Sequence, residues 1–332
     1  MMKTLRLHGT HDLRFHDEPV PQPGTGETLL HVKAVGICGS DLHWYQAGNI
    51  GETRLERPLI LGHEFTAVTE AGERVAVEPS IACEHCEACL RGDPNLCENL
   101  VFAGFGTHDG ALRQQMVWPS RCLFRLPERI TDAEGSMLEP LGVAMHAVEL
   151  GKLEPGMDVG IFGVGPIGLL VLQLARLAGA KTMAVTDKIP HRLEAGRSFG
   201  ATRTILAGNG GESDEIMAAT AGRGVDVAFE VAGENEAVEA AIAATRPGGR
   251  VILAGIPSDD RTAFSASNAR RKGLTIKLVR RMKHTYPRAI QLVESGQVEV
   301  GALVTHSMPF ERAADAFALA TRREGLKVMI LI

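Results

Sequence analysis

The sequence contains no run of basic residues, no long apolar segment near its first residue, no internal repeat and no low-complexity linker. Its 332 residues carry a formal net charge of −5, so we expect no nucleic acid partner. The first eight residues, MMKTLRLH, lack the apolar core of a signal peptide, and we therefore expect the protein in the cytoplasm. Residues 159–175 are uncharged but short for a membrane span, and they include glycine and proline, so we expect no membrane partner.

Cysteine is scarce, and four of the six cysteines fall within one short segment. They follow the pattern Cys83-x-x-Cys86-x-x-Cys89-x7-Cys97. In a reducing compartment such a cluster favours a metal over a disulfide. Four thiolates at these spacings can surround Zn²⁺ and leave no position for water, as structural zinc sites do. A redox pair or a disulfide is the alternative interpretation.

A glycine-rich turn follows the apolar run of residues 159–162 and precedes a segment with helical apolar spacing. Gly163, Gly165 and Gly168 form Gly-x-Gly-x-x-Gly, the pattern that lets a backbone approach a pyrophosphate at a helix N-terminus. Asp187 ends the next apolar run, where a carboxylate can accept a hydrogen bond from an adenosine ribose. The pattern predicts a dinucleotide site, with a chance glycine-rich turn as the alternative.

The carboxylate of Asp187 would repel a 2′-phosphate, so the sequence favours NAD over NADP. Lys188 and Arg192 follow closely and could weaken this preference, or they could form the solvated start of the next helix.

The chain is long enough for two domains with full cores. The first part, to about residue 150, is rich in short β-like runs broken by glycine and proline, which predicts an irregular β domain. From residue 151 onward strands and helices alternate, which predicts a doubly wound parallel sheet. We therefore expect an α/β protein.

A second group of candidate metal ligands is spread along the chain. It comprises Cys38, His63 with Glu64, and Glu139. Each is weak evidence alone, because a lone cysteine is more often a small buried residue and Glu139 could be a helix-start acid. Together with a nicotinamide cofactor, one thiolate, one imidazole and carboxylate would hold a zinc that keeps an open position for substrate.

These motifs, taken in order, resemble the zinc-containing medium-chain dehydrogenases, and within them the sorbitol (polyol) dehydrogenase-like branch. The resemblance covers essentially the whole chain. It is carried by GICGSDLH around Cys38, LGHE around His63, the four-cysteine segment, LEPLG around Glu139, GVGPIG at Gly163, and VTD ending at Asp187. It implies a GroES-like catalytic domain formed by residues 1–150 and 285–332, and a Rossmann domain formed by residues 151–284.

The resemblance also implies roles for residues around the catalytic zinc. Cys38, His63 and Glu64 match its ligands, and Glu139 matches a carboxylate that binds either the zinc or its water. Ser40 matches the hydroxyl of a proton relay whose outer member is His43. Asp41 matches an acid that orients the zinc histidine.

The cofactor and substrate contacts come partly from the resemblance and partly from the rule that ligands gather at the carboxyl ends of parallel strands. The expected cofactor contacts are Gly163, Gly165, Ile167, Gly168, Asp187, Arg192, Val231, Gly255, Ile256, Val279 and Arg280. The expected substrate contacts are Arg281, which aligns with an arginine near substrate in polyol enzymes, and Trp44, which stands where a tyrosine is usual.

The resemblance implies hydride transfer between a secondary hydroxyl of a polyol or sugar derivative and NAD, with one catalytic and one structural zinc. Arg280 beside Arg281 leaves a sugar acid open as substrate, as in the similar idonate dehydrogenases, although Arg280 could equally face cofactor phosphate or solvent. Threonine, a simple secondary alcohol, or a catalytically silent cofactor-binding protein are further alternatives. A homo-oligomer, a tetramer by analogy, is expected.

Overall fold

The computed structural model describes all 332 residues. They form two compact units, one made of residues 1–139 and 283–332 and the other of residues 140–282. The first boundary falls inside the helix Leu138–Gly151 rather than after it, and the second falls at Met282. No helix combines the length and the apolar composition that crossing a membrane requires.

The first 139 residues are mostly strands. They contain β1 (Met2–Gly9), β2 (Asp12–Glu18), β3 (Glu27–Gly36), α1 (Gly39–Ala47), β4 (Asn49–Ile50), β5 (Thr53–Arg54), β6 (Leu59–Ile60), β7 (Glu64–Thr69), β8 (Arg74–Val77), β9 (Ser80–Ile81), α2 (Glu87–Leu90), β10 (Val101–Phe102), β11 (Gln115–Pro119), β12 (Leu123–Arg125) and α3 (Asp132–Ser136).

The middle of the chain alternates helix and strand. It contains α4 (Leu138–Gly151), β13 (Asp158–Phe162), α5 (Pro166–Leu177), β14 (Thr182–Asp187), α6 (Pro190–Ser198), β15 (Arg203–Leu206), α7 (Glu212–Ala219), β16 (Val225–Glu230), α8 (Asn235–Ala244), β17 (Thr245–Leu253), α9 (Ala266–Arg271) and β18 (Thr275–Leu278). The last residues form α10 (Tyr286–Glu294), β19 (Val304–Pro309), α11 (Ala313–Thr321) and β20 (Lys327–Leu331).

The first unit is organised around β3, which pairs with β7, β11 and β20 in a seven-stranded sheet. The C-terminal strand β20 lies antiparallel to β3, with Met329 opposite Gly36. The tail of the chain therefore contributes a strand to the sheet of the first unit. At the same end of β3, Gly36 lies opposite Glu64, the first residue of β7.

The second unit is a six-stranded parallel sheet with the order β15-β14-β13-β16-β17-β18. The predicted doubly wound sheet is confirmed. Strands β13 and β16 are buried along their whole length, as central parallel strands covered by helices on both faces are. Because the strands are parallel, all of their carboxyl ends lie at one edge of the sheet, and the strand order reverses at β13.

Local backbone constraints set the bounds of two elements. Helix α8 ends at Ala244, because the residue before Pro247 disfavours helical backbone. Strand β11 begins only at Gln115, since Ala111 and Leu112 donate their N–H groups to the Gly62 and Leu61 carbonyls. These two hydrogen bonds hold the loop that precedes β7.

Candidate functional site

The end of β3 and the start of β7 bring three candidate metal ligands together. Cys38 follows β3, and His63 and Glu64 stand at the start of β7. The thiol, imidazole and carboxylate donor atoms all lie within 4.8 Å of one another. A thiolate, an imidazole and a carboxylate fit a zinc site with an open position.

Asp41 lies directly behind His63. Its carboxylate accepts the N–H groups of Cys38 at 2.9 Å and Gly62 at 3.2 Å, and it lies 3.5 Å from His63 Nδ1. Burial raises the pKa of Asp41, but His63 and the two N–H groups outweigh it, so the pKa is lowered. A buried carboxylate at Nδ1 fixes the orientation of the ring and leaves Nε2 for the metal. Asp41 is therefore placed where an acid that orients a zinc histidine would lie.

Ser40 and His43 lie three residues apart on α1 and therefore share one face of that helix. The Ser40 Oγ atom is 3.4 Å from His63 Nε2, so the hydroxyl stands at the metal group. His43 is half-buried, and its burial, together with the Arg323 cation, lowers its pKa. A neutral imidazole near this hydroxyl can accept a proton from it.

Glu139, in the first turn of α4, is buried but does not belong to the group of three ligands. It lies close enough to Glu78 to act on it electrostatically: burial and then Glu139 raise the pKa of Glu78 to about 7. Tyr286, which is fully buried, donates its hydroxyl to the Val77 carbonyl at 2.7 Å in the same region. Sequence reasoning missed Glu78 and Tyr286, because neither lies in a motif with metal-ligand spacing.

Lys327 was also not identified from the sequence. It is the first residue of β20, only 4% of its side chain is exposed, and its ammonium pairs with the Glu64 carboxylate, which is 1% exposed. Burial lowers the pKa of Lys327, but Glu64 and Cys38 outweigh it, so the pKa is raised. A Cβ added at Gly36 would lie 2.3 Å from Glu64 Oε2 and 3.0 Å from Lys327 Cε, so only glycine leaves room for this pair.

The signal that could have found Lys327 is its position immediately before the apolar run Val-Met-Ile in a terminal strand. A lysine there is ordinarily interpreted as solvated, since lysine is almost never fully buried unless it is paired. The partner, Glu64, is far away in sequence, and only the β3–β20 pairing brings it close.

The four cysteines of the second cluster also come together. The donor sulfurs of Cys83, Cys86, Cys89 and Cys97 lie within 4.8 Å of one another. The Cys86–Cys89 and Cys83–Cys89 sulfur distances are 3.5 and 4.0 Å, close to the ~3.8 Å edge of a tetrahedron with Zn–S bonds of about 2.3 Å. The N–H groups of Cys83 and Cys86 point at cluster sulfurs at 3.3 Å. The donor set and its geometry fit a closed zinc site.

The glycine fingerprint forms a tight turn between β13 and α5. Gly163, directly after β13, has a φ of 98°, and a Cβ added at Gly168 would lie 2.0 Å from the Gly163 carbonyl oxygen. Helix α5 begins at Pro166, immediately after Gly165, so its free N–H groups face the loop. The cradle therefore fits a pyrophosphate at the helix N-terminus.

The Asp187 carboxylate ends β14 beside this loop. It accepts the N–H groups of Val164 and Ile189, both at 2.9 Å, and the Arg192 Nη1 atom lies 3.9 Å away. The other expected cofactor contacts stand beyond the strand ends at the same edge, except Ile167, which lies in the first turn of α5. They are Val231 after β16, Gly255 and Ile256 after β17, and Val279 and Arg280 after β18.

The two expected substrate residues belong to different units. Trp44 lies in the first unit, is 1% exposed and packs its ring edge-on against Phe105, 5.9 Å between ring centroids. Its Nε1–H is buried without an acceptor. Arg281 lies in the second unit, in the turn after β18, with a left-handed φ of 55°.

A GroES-like β unit with a thiol–imidazole–carboxylate site, next in the chain to a dinucleotide-binding sheet, defines a zinc-dependent dehydrogenase. Family models agree: the alcohol dehydrogenase GroES-like domain matches residues 24–128, and the zinc-binding dehydrogenase domain matches residues 166–295. A sorbitol dehydrogenase of Bacillus subtilis is 38% identical over 99% of this chain and 97% of its own length. The chain belongs to the zinc-containing medium-chain dehydrogenases, in the sorbitol dehydrogenase-like branch.

Other relatives extend the comparison. A protein of Emericella nidulans named D-xylulose reductase A is 35% identical over 98% of this chain and 94% of its own. The L-idonate 5-dehydrogenase structure of Escherichia coli has a TM-score of 0.92 at 26% identity, covering 100% of this chain and 98% of that one.

Two further solved structures contain a cofactor. An alcohol dehydrogenase of Escherichia coli in complex with NADH has a TM-score of 0.91 at 29% identity, and a zinc-binding dehydrogenase of Sinorhizobium meliloti bound to NADP has a TM-score of 0.89 at 28% identity. Both alignments cover 100% of this chain and 99% of the other.

We predict that Cys89→Ser lowers the zinc content by one ion per chain and lowers the melting temperature, because three thiolates no longer close the tetrahedron. Metal analysis and thermal unfolding measure the two effects. Cys122→Ser is the matched control, since this buried cysteine lies outside both ligand groups and should keep the full zinc content. A Cys89→Ser protein with unchanged zinc and melting temperature would contradict the structural zinc site.

We predict that Lys327→Met weakens zinc retention by the Cys38 group roughly 10- to 100-fold, the usual effect of removing a group that supports a metal ligand. In the metal-free protein the Glu64 carboxylate then remains buried without a cation, which destabilises the fold by about 3–5 kcal/mol. Competition with a chelator and denaturant unfolding measure these losses. Lys33→Met, on neighbouring β3, removes the same charge and should change neither zinc retention nor stability. Equal losses of zinc retention and stability in both variants would contradict the role assigned to Lys327.

Proposed function

We propose that the protein oxidises a secondary hydroxyl of a polyol or sugar derivative and transfers the hydride to NAD. The observation that carries the proposal is the group of half-buried Cys38 with buried His63 and Glu64. The Ser40 hydroxyl stands 3.4 Å from His63. The similarity to proteins named sorbitol dehydrogenase and D-xylulose reductase supports the substrate class. We assign the chemistry to the first unit and nucleotide binding to the second.

Each group of the site then has a role. Cys38, His63 and Glu64 would hold the catalytic zinc, and Asp41 keeps the His63 ring in place. When bound, zinc supplies a Lewis acid that lowers the pKa of the substrate hydroxyl, and NAD supplies the hydride acceptor. The four cysteines from Cys83 to Cys97 would hold a structural zinc.

The proton of the substrate hydroxyl leaves through the protein's own groups. Ser40 stands at the metal group and takes up the proton as it releases its own outward. His43, on the same face of α1, is the outer acceptor, and its lowered pKa keeps it neutral and ready to accept. Glu139 lies outside the ligand group, which supports a role in holding water at the metal rather than direct ligation.

Within the first unit, Trp44 would contribute to substrate specificity. The buried Trp44 Nε1–H has no acceptor in the protein, and a substrate hydroxyl would provide one. A sugar acid is the second candidate substrate, since two consecutive arginines can bind a carboxylate and the similar Escherichia coli structure is an L-idonate 5-dehydrogenase.

We also propose that the protein is a homo-oligomer, a tetramer by analogy, in a reducing compartment such as the cytoplasm. Strand β18 is the edge of the six-stranded sheet, and its Leu278 is 73% exposed, so a second copy could pair there. No disulfide joins any of the six cysteines, which suits a reducing compartment. The mass in solution tests the assembly.

The deciding experiment is NAD reduction by zinc-loaded protein with pentitols, hexitols, sugar acids, threonine and simple secondary alcohols. Turnover on pentitols or hexitols supports the proposal, and preference for a sugar acid supports the second candidate. No NAD reduction with any of these substrates, with both zinc ions present, would contradict the proposal and favour a non-catalytic cofactor-binding protein. Cys38→Ser, which removes a catalytic ligand, is the negative control.

We predict that Ser40→Ala lowers kcat about 10²-fold, the size of effect expected for a lost proton-transfer group, and leaves zinc content unchanged. Steady-state kinetics and metal analysis of the same sample measure both quantities. A large loss of zinc would contradict the relay role, because it would make Ser40 a support of the metal site. Ser120→Ala, a surface position of the same unit, should leave both quantities as in the wild type.

A further inference from the structure

The second unit carries four charged side chains near the end of β14, and they form two pairs. Asp187 lies beside Arg192, and Lys188 pairs with Glu234. Similar solved structures contain NADH in one case and NADP in another, so members of this fold accept either cofactor. The two cofactors differ only by the phosphate on the adenosine 2′ oxygen, which belongs beside Asp187.

The Lys188–Glu234 pair joins two loops that flank the glycine fingerprint. In the sheet, β13 lies between β14 and β16. Lys188 is the residue after β14, and Glu234 lies in the loop between β16 and α8. The ion pair therefore connects the loops on either side of the turn that begins at Gly163.

The loop that contains Glu234 is held firmly. The Glu230 carboxylate, which is buried, accepts the N–H groups of Ala232 at 2.8 Å and Gly233 at 2.7 Å. Gly233 has a φ of 74°, and a Cβ added there would lie 2.4 Å from the Ile256 carbonyl oxygen. Glu234 thus extends from a fixed turn toward the more exposed Lys188 side chain.

The two cations differ in how freely they can move. The Arg192 side chain is 16% exposed, lies over Gly165 and is fixed beside the Asp187 carboxylate. The Lys188 side chain is 53% exposed, and its long stem can reorient in solvent. Lys188 is therefore the cation of this group that can move toward a 2′-phosphate, and Glu234 competes with that phosphate for it.

We propose that Glu234 is a specificity-determining residue for the cofactor, because it holds Lys188 away from a 2′-phosphate. NAD has no group that needs Lys188, so the pair disfavours NADP while leaving NAD unaffected. Asp187 acts in the same direction by repelling the phosphate directly. The inference rests on the proposed placement of the adenosine ribose beside Asp187.

The test measures binding of two nucleotides without a nicotinamide, so it does not depend on the zinc site or on turnover. Calorimetry gives Kd for 5′-AMP and for adenosine 2′,5′-bisphosphate, and their ratio isolates the 2′-phosphate. We expect Glu234→Gln to tighten the bisphosphate about three- to five-fold, the scale of an exposed ion pair, and to change 5′-AMP less than two-fold. Adding Lys188→Gln to Glu234→Gln should abolish the gain in bisphosphate affinity, because the Lys188 ammonium that would contact the 2′-phosphate is then absent.

Glu236→Gln is the matched control, since it removes the same charge two residues further on from an exposed side chain. Two results would overturn the role of Glu234 and leave the nucleotide site intact. One is an equal gain in bisphosphate affinity in Glu236→Gln, and the other is an unchanged ratio of the two Kd values in Glu234→Gln while 5′-AMP still binds. A gain in bisphosphate affinity that persists in the Glu234→Gln, Lys188→Gln double variant would also overturn this role. Failure of the wild type to bind 5′-AMP would instead overturn the proposed nucleotide site and this inference with it.

Discussion

The pairing of β3 with β7 is the constraint on which the metal group depends. It places Gly36 opposite Glu64, so Cys38, two residues after Gly36, meets His63 at the start of β7. Strand β20 pairs with the other side of β3 and delivers Lys327 to the same point. Three segments far apart in sequence therefore share one buried position, and the register of a single sheet sets their distances. A register shift of one residue would turn each of these side chains to the opposite face.

Charge balance explains why a lysine belongs in this buried position. A Cys38 thiolate and the carboxylates of Asp41, Glu64 and Glu139 would carry more negative charge than one divalent zinc ion neutralises. The Lys327 ammonium offsets part of this excess, and burial in a low dielectric strengthens its attraction to Cys38, Glu64 and Glu139. Gly36 makes this arrangement possible, because Glu64 and Lys327 occupy the space that a Cβ at position 36 would fill.

Much of this protein could be predicted from its sequence, and the limits have a physical cause. The zinc cluster from Cys83 to Cys97 and the turn at Gly163 are local, since their ligands or glycines lie close together in sequence. The alternation after Asp187 likewise predicts the parallel sheet. Lys327 and Glu78 were not predicted, because strand pairing and burial, and not sequence spacing, bring them to the site. The resemblance to a family assigned the distant ligands, which no short-range pattern joins.

Two lysine–glutamate pairs in this chain show how burial decides what an ion pair can do. Lys327 and Glu64 are almost fully buried, so separating them would leave an uncompensated charge inside the protein, and the pair is effectively permanent. Lys188 and Glu234 have side chains that are 53% and 32% exposed, so water and salt screen them and the pair opens at little cost. A permanent pair suits a metal site whose charge must not vary. A weak pair suits a choice between two cofactors that differ by one phosphate, because a few-fold preference can be set there without disturbing the fold.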